Sequence, residues 1–491
     1  MILEILHGII VSVATYYFFI FLRYASSCEK WLIETAKFIY YSGHPLYDDD
    51  KKFSIVTSRF KNVFISFAVI VFKTIVIIML LVALTGIFSF IFFYIGQKGS
   101  IHFSSAEIVD VAFPPYLLRL PFIAGSVIPI IIILMLPKKE KEEDVYSGID
   151  KLLHYVFLGN NTVAKMLFKI EVASNKNSIR AAMQNRSVYI SGLARSGTTV
   201  LTQTLGKLPG LISLSYRNLP FLFLPKTWPR LFKGKRGKTT ERAHKDGIKH
   251  NLDSHEALEE PFWRHYLGKD YIKEDFLLGH AIDTRTFLKY QSFRKLVAQD
   301  KIYLAKNNNH LLRASSLHSL DAENGNTSVT FITFREPYSH AASLLSQHLN
   351  LSALQQKDDF VLDYMDFLVH HEFGLNQKVT NLNTDSCDVD FKTDKTSLEY
   401  WLEVWYFFYK KAITIYSGKT GFYFFSFENF CKNPVASIHS VTSLLDIPEE
   451  DVENISMTEF TPKRAVENTD ITNKYSLLYQ QLIIQAINNE N

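Results

Sequence analysis

Cysteine is scarce in this sequence, whose 491 residues include only Cys28, Cys387 and Cys431. The three lie far apart and match neither a CxxC motif nor the ligand spacing of a structural zinc site. A fold held together by disulfides is therefore excluded, and so few thiols favour a reducing compartment. No group of residues has metal-ligand spacing, so we expect no metal.

Net charge is also low, because 53 Lys and Arg residues against 49 Asp and Glu leave +4 at pH 7. A chain so close to neutral has no global positive field, which argues against nucleic acid as a partner. Internal repeats are lacking too, and 491 residues exceed one ordinary core, so we expect two or three structural units. Apolar residues are abundant: 47% are hydrophobic, including 39 Phe, which is rich for a purely soluble protein.

Much of this apolar excess lies in the first third of the chain. A membrane-spanning helix needs about 20 mostly apolar residues. Two stretches meet this length and a third is shorter and contains Pro129, so the third either spans or is a buried or re-entrant segment. The three stretches are Ile2–Leu22, Thr74–Tyr94 and Phe122–Leu136.

Basic residues predict the orientation of these spans. They are concentrated between the first and second stretches, from Arg23 to Lys61, and again after the third, from Lys138 to Lys141. The positive-inside rule then predicts three passes, with the N-terminus outside and the following domain in the cytoplasm. We predict a membrane anchor of about three transmembrane helices over residues 1–136, a charged hinge and amphipathic helical linker over 137–186, and a catalytic domain over 187–491.

A strand, a glycine-containing loop and a helix follow one another near the start of the third region. Val188–Ile190 is strand-like, the loop reads Ser-Gly-Leu-Ala-Arg-Ser-Gly-Thr-Thr, and Val200–Leu205 is helical. Such a loop binds anions, because backbone N–H groups at a helix start point at a phosphate and glycines allow close approach. Thr198 stands where a Walker A loop needs lysine, which disfavours ATP or GTP hydrolysis. A basic residue, Arg195, lies three positions earlier.

A second apolar strand, Val329–Phe334, ends at Arg335, and the helical stretch after it carries Ser343. An arginine at a strand end and a serine on the next helix are able to converge on one phosphate. The arginine supplies a forked, permanently charged donor and the serine a neutral one.

These two motifs together resemble those of the sulfotransferase superfamily. Arg195-Ser196-Gly197-Thr198-Thr199 resembles its 5′-phosphosulfate loop, and Arg335 with Ser343 resembles its 3′-phosphate motif. Arginine in the first motif is closer to the tyrosylprotein and carbohydrate sulfotransferases than to the soluble cytosolic ones. Two further segments follow in the family's order: Ile302–Leu311, like a strand and K-x-P loop with Asn308 in place of proline, and Phe422–Pro434, like its "YEDL…P" segment.

The resemblance implies an α/β fold, with a P-loop-like parallel sheet flanked by helices and preceded here by an α-helical transmembrane region. It also implies 3′-phosphoadenosine-5′-phosphosulfate (PAPS) as co-substrate. We expect Arg195 to stabilise the charge that grows during transfer. The amides of Ser196, Gly197, Thr198 and Thr199, with the two threonine hydroxyls, should hold the phosphosulfate. Lys306 is either a second cation near the transferred group or a solvated loop lysine.

The general base is the weakest part of this pattern. A carboxylate of Glu259 or Glu260 is able to take the acceptor's proton. Pairing with Arg264, or solvation, explains the same two glutamates equally well. His244 and His265 are the next candidates.

We therefore expect a membrane-bound sulfotransferase that acts on a hydroxyl of a glycan or lipid-linked molecule. A P-loop kinase or NTPase, and a non-catalytic nucleotide-binding membrane protein, are the alternatives. The polar segment 377–396 is predicted to be a surface loop near the acceptor cleft.

Overall fold

The computed structural model describes residues 2–44, 47, 49–96, 146–183, 185–231, 240–241, 249–250, 257–384, 394–453 and 473–489. The chain divides into two compact units, Met1–Val156 and Phe157–Asn491. The division falls within a π-helical segment, His154–Gly159.

Long helices make up the described part of the first unit. They are α1 Ile2–Phe21, α2 Tyr24–Ser42, α3 Asp49–Gly96 and the short α4 Gly148–Leu153. Helices α2 and α3 pack side by side through polar as well as apolar contacts. The Tyr24 and Thr74 hydroxyls lie 2.9 Å apart, and the Lys73 ammonium donates to Ser27 Oγ at 2.6 Å.

Helix α3 is long and apolar enough over Lys51–Ile87 to cross a membrane. Ile9–Ile20 and Tyr24–Ser42 meet the same criterion only as a pair bent by 51°. Length and composition thus identify one or two candidate spans among the described residues. The predicted spans Ile2–Leu22 and Thr74–Tyr94 coincide with α1 and the second half of α3, whereas Phe122–Leu136 lies outside the described residues.

A parallel sheet forms the centre of the second unit. In the described part of the chain it has five strands in the order β2-β6-β1-β7-β9, all parallel. Two small pairs accompany it: β3 with β4, antiparallel, and β5 with β8, parallel. The strands are β1 Arg186–Ser191, β2 Leu211–Ile212, β3 Thr240–Glu241, β4 Lys249–His250, β5 Phe276–Leu278, β6 Ile302–Lys306, β7 Thr327–Phe334, β8 Val379–Asn381 and β9 Phe422–Ser426.

Helices connect these strands and flank the sheet, so the expected α/β class with a parallel sheet is confirmed. The described helices of this unit are α5 Asn161–Ser174, α6 Lys176–Ala181, α7 Thr198–Leu205, α8 Thr227–Leu231, α9 Glu260–Tyr271, α10 Thr284–Ala298, α11 Ala314–Glu323, α12 Pro337–Lys357, α13 Asp359–Leu368, α14 Leu398–Tyr416, α15 Phe427–Lys432, α16 Pro434–Leu444, α17 Glu449–Glu453 and α18 Lys474–Gln485, with 3₁₀ turns at Tyr216–Asn218 and His310–Leu312.

Strand β1 lies in the middle of the sheet, and its two faces differ. Val188 and Ile190 join an apolar cluster with residues of α7 and α16. Side chains alternate along a strand, so Ser187 and Tyr189 face the other side. There both hydroxyls accept hydrogen bonds from the buried Arg294 guanidinium, at 3.0 and 3.1 Å. One face is therefore a dry core and the other a buried polar network.

The strand order fixes where a ligand can bind. From β1 the chain builds β2 and β6 on one side and then β7 and β9 on the other. The connections thus diverge beside β1, and such a switch point opens a crevice at the carboxyl ends of the strands. The two predicted phosphate motifs follow β1 and β7 at this edge.

Candidate active site

The residues between β1 and α7, Gly192–Gly197, form a tight turn that we call the anion loop. Gly192 has φ 145°, and a Cβ there would lie 2.4 Å from the Thr333 carbonyl oxygen. Gly197 has φ 96°, and a Cβ there would lie 2.5 Å from the Phe427 ring. Both glycines are required, because backbone conformation and close neighbours leave no space for a side chain. The loop is pressed against the ends of β7 and β9.

Helix α7 begins directly at the anion loop. Its N-cap is Gly197, and no side chain caps the helix. The first N–H groups of a helix have no partner within it, so the amides of Thr198 and Thr199 are available for an anion. The positive end of the helix dipole adds to this preference.

Ser196 fixes the loop rather than pointing at a ligand. Its N–H donates to Leu193 O at 3.2 Å. Its hydroxyl lies 2.7 Å from Thr333 Oγ1, which itself donates to Ser191 O at 3.2 Å. Ser196 must then be the donor to Thr333, because each hydroxyl has a single proton. Ser196 was predicted to bind the phosphosulfate, but its N–H and its hydroxyl both donate hydrogen bonds within the protein.

Arg195 brings the two phosphate motifs to one place. Its Nε donates to Ser343 Oγ on α12 at 3.2 Å, although 148 positions separate the two residues. Arg195 also has φ 72°, a region that residues other than glycine seldom occupy. Local backbone strain of this kind concentrates at functional sites.

Arg335 lies in the same site, one residue after β7. Its guanidinium stacks over Phe427 at 5.4 Å, and its Nε is 4.0 Å from Glu428 Oε1. Burial lowers the pKa of Arg335; the Glu428 charge opposes this shift and the Arg195 charge adds to it. Among the described residues, the buried Arg335 Nε has no hydrogen-bond partner. Buried donors are nearly always paired, so this nitrogen fits an anionic ligand.

Glu428 holds a position that the sequence did not reveal as part of the site. It accepts hydrogen bonds from the Glu336 N–H and the Tyr479 hydroxyl, both at 3.1 Å. Burial raises the pKa of this carboxyl group. The contact with Arg335 orients the guanidinium, and the Glu428 and Glu336 charges both act on Arg335 against the charge of Arg195.

His340 is a second residue that sequence reasoning missed. It is fully buried on α12, and its Nε2 donates to the Ala194 carbonyl at 2.8 Å. Burial lowers the pKa of His340 to about 3, so the imidazole is neutral. It thereby holds the residue before Arg195, and it lies one helical turn from Ser343. The sequence feature that could have indicated a role for His340 is its position between Arg335 and Ser343.

Lys306 ends β6 beside the anion loop. It pairs in register with Ile190 of β1 and is only 7% exposed, so it is not a solvated loop lysine. The next residues, Asn307–Asn309, form what we call the asparagine loop. The Asn307 N–H donates to Ile190 O at 3.0 Å, and Ser191 Oγ donates to Asn308 O at 3.2 Å. The carboxyl ends of β1 and β6 are thus joined.

The two glutamates expected to include the base are buried, at 1% exposure for Glu259 and 3% for Glu260. Glu260 forms a two-pronged ion pair with Arg313, at 2.8 and 2.6 Å, and Glu259 accepts from the Trp263 indole at 2.8 Å. Further donors to the two carboxylates are Tyr271, Tyr290, Tyr303 and Asn307. Neither carboxylate can take a substrate proton without breaking this network. Because both glutamates are buried, neither is placed to act as the general base. Both accept hydrogen bonds from Asn307 and so support the asparagine loop.

The expected partner of the two glutamates and the next candidates for the base do not match the predicted arrangement either. Arg264, the expected partner of the glutamates, pairs instead with Asp366 at 2.9 Å. His265 donates to Leu158 O at 2.8 Å, and burial lowers its pKa to about 3. His244 lies outside the described residues. The described residues contain no group of His, Cys, Asp or Glu placed to hold a metal ion.

The predicted surface loop 377–396 is also corrected in part. Residues 379–381 form strand β8, which is buried and pairs with β5. Gln377 accepts a hydrogen bond from the buried Tyr400 hydroxyl at 2.7 Å. A three-residue strand in a polar segment has too short a pattern to be recognised from sequence.

No protein-family model and no curated protein matches the chain. Two solved structures are similar at 12% identity. Sulfotransferase STF1 from Mycobacterium tuberculosis H37Rv has a TM-score of 0.37, with 70% of this chain and 88% of that chain covered. Sulfotransferase STF9 from Mycobacterium avium has a TM-score of 0.36, with 64% and 78% covered. A likeness this distant supports no inference about activity.

Proposed function

We propose that this chain is a membrane-bound sulfotransferase that moves a sulfuryl group from PAPS to an acceptor hydroxyl. The observation that carries the proposal is the contact of Arg195 Nε with Ser343 Oγ, because it unites the two motifs in one site. The acceptor we propose is a glycan or a lipid-linked molecule. Anchoring beside a membrane suits such acceptors.

The residues of the site fit the two ends of PAPS. The uncapped start of α7, with Thr198 and Thr199, suits the 5′-phosphosulfate. Arg335, whose buried Nε makes no hydrogen bond among the described residues, and Ser343 suit the 3′-phosphate. Two half-buried arginines of like charge in one site favour a ligand with several negative oxygens. PAPS contributes the sulfuryl group itself.

The side chains of the site would act by alignment and charge stabilisation. In phosphoryl transfer, which sulfuryl transfer parallels, the protein adds little covalent chemistry. Arg195 would face the charge that grows on the sulfuryl group and its leaving oxygen. Lys306 would act as a second cation from the neighbouring strand end.

The same proposal includes the location of the protein. We place the first unit in the membrane as a multi-pass anchor and the second unit on the cytoplasmic side, where PAPS would be available. The basic residues between Arg23 and Lys61 support this orientation through the positive-inside rule.

Ligand binding tests the proposal directly. The full-length protein in detergent should bind 3′-phosphoadenosine 5′-phosphate at least about tenfold more tightly than AMP, because charge-assisted hydrogen bonds contribute about 1.5–3 kcal/mol each. Calorimetry measures both affinities. Arg335→Ala should abolish the difference, since it removes the donor to the 3′-phosphate. Equal affinities in the unaltered protein would contradict the assignment.

Transfer of radiolabelled sulfate from PAPS to a panel of glycans and lipids is the second measurement. It separates the enzyme from a non-catalytic nucleotide-binding protein, since both would bind the nucleotide. Thr198, which stands in the place of the P-loop lysine, gives a kinase or NTPase no support.

A further inference from the structure

We propose that Glu372 is the general base that takes the proton from the acceptor hydroxyl, with Asn308 as its positioning residue. This inference rests on the proposed sulfotransferase function. It supplies the group that Glu259 and Glu260 cannot provide, because both are buried within a saturated hydrogen-bond network.

Glu372 lies at the same edge of the sheet as the anion loop. Its Oε1 accepts a hydrogen bond from Asn308 Nδ2 at 2.8 Å. The backbone carbonyl of Asn308 accepts from Ser191, the last residue of β1, at 3.2 Å. One residue, Asn308, therefore connects Glu372 through its side chain to Ser191 through its backbone carbonyl. Two strand ends, those of β1 and β6, fix this connection.

The turn that carries Glu372 is held firmly. It follows α13, and Asn309 donates to the Val369 carbonyl at 3.2 Å. The buried His371 ring lies 3.4 Å from Asp366, and the His371 carbonyl accepts from the Lys378 N–H at 2.8 Å. Successive asparagines of the asparagine loop thus hold the turn from one side, and Lys378, the residue before β8, holds it from the other.

The Glu372 carboxylate is accessible, and only one of its two oxygens is hydrogen-bonded among the described residues. The residue is half-buried, in contrast to Glu259 and Glu260. Among the described residues, its Oε2 makes no hydrogen bond, while Oε1 is fixed by Asn308. The Asn308 Oδ1 is buried and also lacks a hydrogen-bond partner there. The second carboxylate oxygen is able to accept the proton of an incoming hydroxyl.

The proposed step is balanced. The acceptor oxygen forms a bond to sulfur while the bond from sulfur to the phosphate oxygen breaks. The phosphate oxygen leaves with the electron pair, as 3′-phosphoadenosine 5′-phosphate. The acceptor's proton passes to Glu372 and then to solvent, which returns the carboxylate to its starting state.

The test compares Glu372→Gln with the matched control Glu403→Gln. Glu403 lies on α14, where it pairs with Lys474 at 2.6 Å and has no part in the site. The probes are octyl glucoside, 4-nitrophenol and water as acceptors of sulfate from PAPS. Glu372→Gln should lower kcat with octyl glucoside by about 10²-fold or more, with the affinity for 3′-phosphoadenosine 5′-phosphate unchanged. The loss should be smaller with 4-nitrophenol, because its acidic hydroxyl needs less help from a base.

Each result either supports the assignment of Glu372 as the general base or contradicts it. If Glu372→Gln keeps the rate of Glu403→Gln with octyl glucoside, or loses nucleotide affinity together with rate, the assignment of Glu372 is wrong while the sulfotransferase stands. If the unaltered protein transfers sulfate to none of the three probes, the proposed function fails and this inference fails with it. Asn308→Ala should reduce kcat less than Glu372→Gln does, since it removes only the positioning bond.

Discussion

At the scale of single residues, the site divides into side chains that a sequence pattern identifies and side chains that only the fold identifies. Arg195, Arg335 and Ser343 were predicted because each lies at a fixed distance from a strand end, and Arg195 contacts Ser343 in the structure. His340 and Glu428 were not, because their partners are a backbone carbonyl and an arginine far along the chain. Glu259 and Glu260 were misassigned for a related reason. An acidic pair looks the same in sequence whether it faces solvent or a buried arginine.

His340 allows a residue-scale prediction with a matched pair of variants. The glutamine amide nitrogen reaches the position of the histidine Nε2, whereas the asparagine nitrogen corresponds to Nδ1. His340→Asn should therefore lose the bond to the Ala194 carbonyl, lower the free energy of unfolding by about 1–3 kcal/mol, and reduce kcat. His340→Gln should retain most of both. Thermal unfolding and sulfate transfer measure the effects, and equal behaviour of the two variants would show that the bond has no role.

At the scale of elements, the sequence predicted those whose apolar residues form a run. The strands at Val188–Ile190 and Val329–Phe334 and the helix after each were predicted correctly, because apolar runs bounded by turn residues are distinctive. Strand β8 was missed because its pairing with β5 is decided by tertiary contacts. The aromatic helix α14 contributes mostly buried side chains to the core. In the structure it also supports the site, since Trp405 donates to the Arg335 carbonyl at 3.2 Å.

Two tyrosines on α14 allow a test of whether a hydrogen bond stabilises only the fold or also supports the site. The Tyr409 hydroxyl donates to Thr333 O at 2.8 Å, behind the anion loop, and the Tyr416 hydroxyl donates to Leu311 O at 2.6 Å, away from it. Replacing either by Phe leaves a buried carbonyl without that donor, at a cost of about 1–3 kcal/mol. We expect both variants to unfold at lower temperature, and only Tyr409→Phe to bind 3′-phosphoadenosine 5′-phosphate more weakly. Equal binding by both would assign Tyr409 to the fold alone.

At the scale of the whole second unit, buried histidines predict sensitivity to acid. Burial lowers the pKa of His265, His280 and His340 to about 3 and that of His371 to about 4. A depressed pKa means that the folded state favours the neutral ring. The resulting stability is present above the unfolded pKa of about 6.5 and is lost as pH falls towards the folded values.

The melting temperature should accordingly fall between about pH 7 and pH 5. Glu259 and Glu428 act in the opposite direction, because burial raises the pKa of both carboxyl groups and their stabilising contribution is lost as pH rises. The four histidines outnumber these two groups, so the net change on acidification is a loss. Removing one titrating group in His340→Gln should flatten the profile. A melting temperature that is constant or rises over this range would contradict the prediction.

The length of α3 supports the last prediction, which concerns the proposed membrane anchor. Its 48 residues extend about 72 Å at 1.5 Å per residue, while a hydrocarbon core is about 30 Å thick. In the proposed anchor, the charged first part of α3, with Lys51, Arg59 and Lys61, would then lie outside the apolar layer. Lys73, within the apolar part, donates to Ser27 of α2, which lessens the penalty of its burial in lipid.

Positive flanks face the cytoplasm, so the basic part of α3 should lie on that side. If the segment 122–136 also spans, the second unit returns to the same side. A C-terminal phosphatase fusion that is active only outside the cytoplasm should therefore be inactive, and a C-terminal fluorescent fusion should be bright. Deleting residues 122–136 should reverse both readouts, because one crossing is lost. Unchanged readouts after the deletion would mean that this segment does not span, and an active phosphatase on the full chain would reverse the proposed orientation.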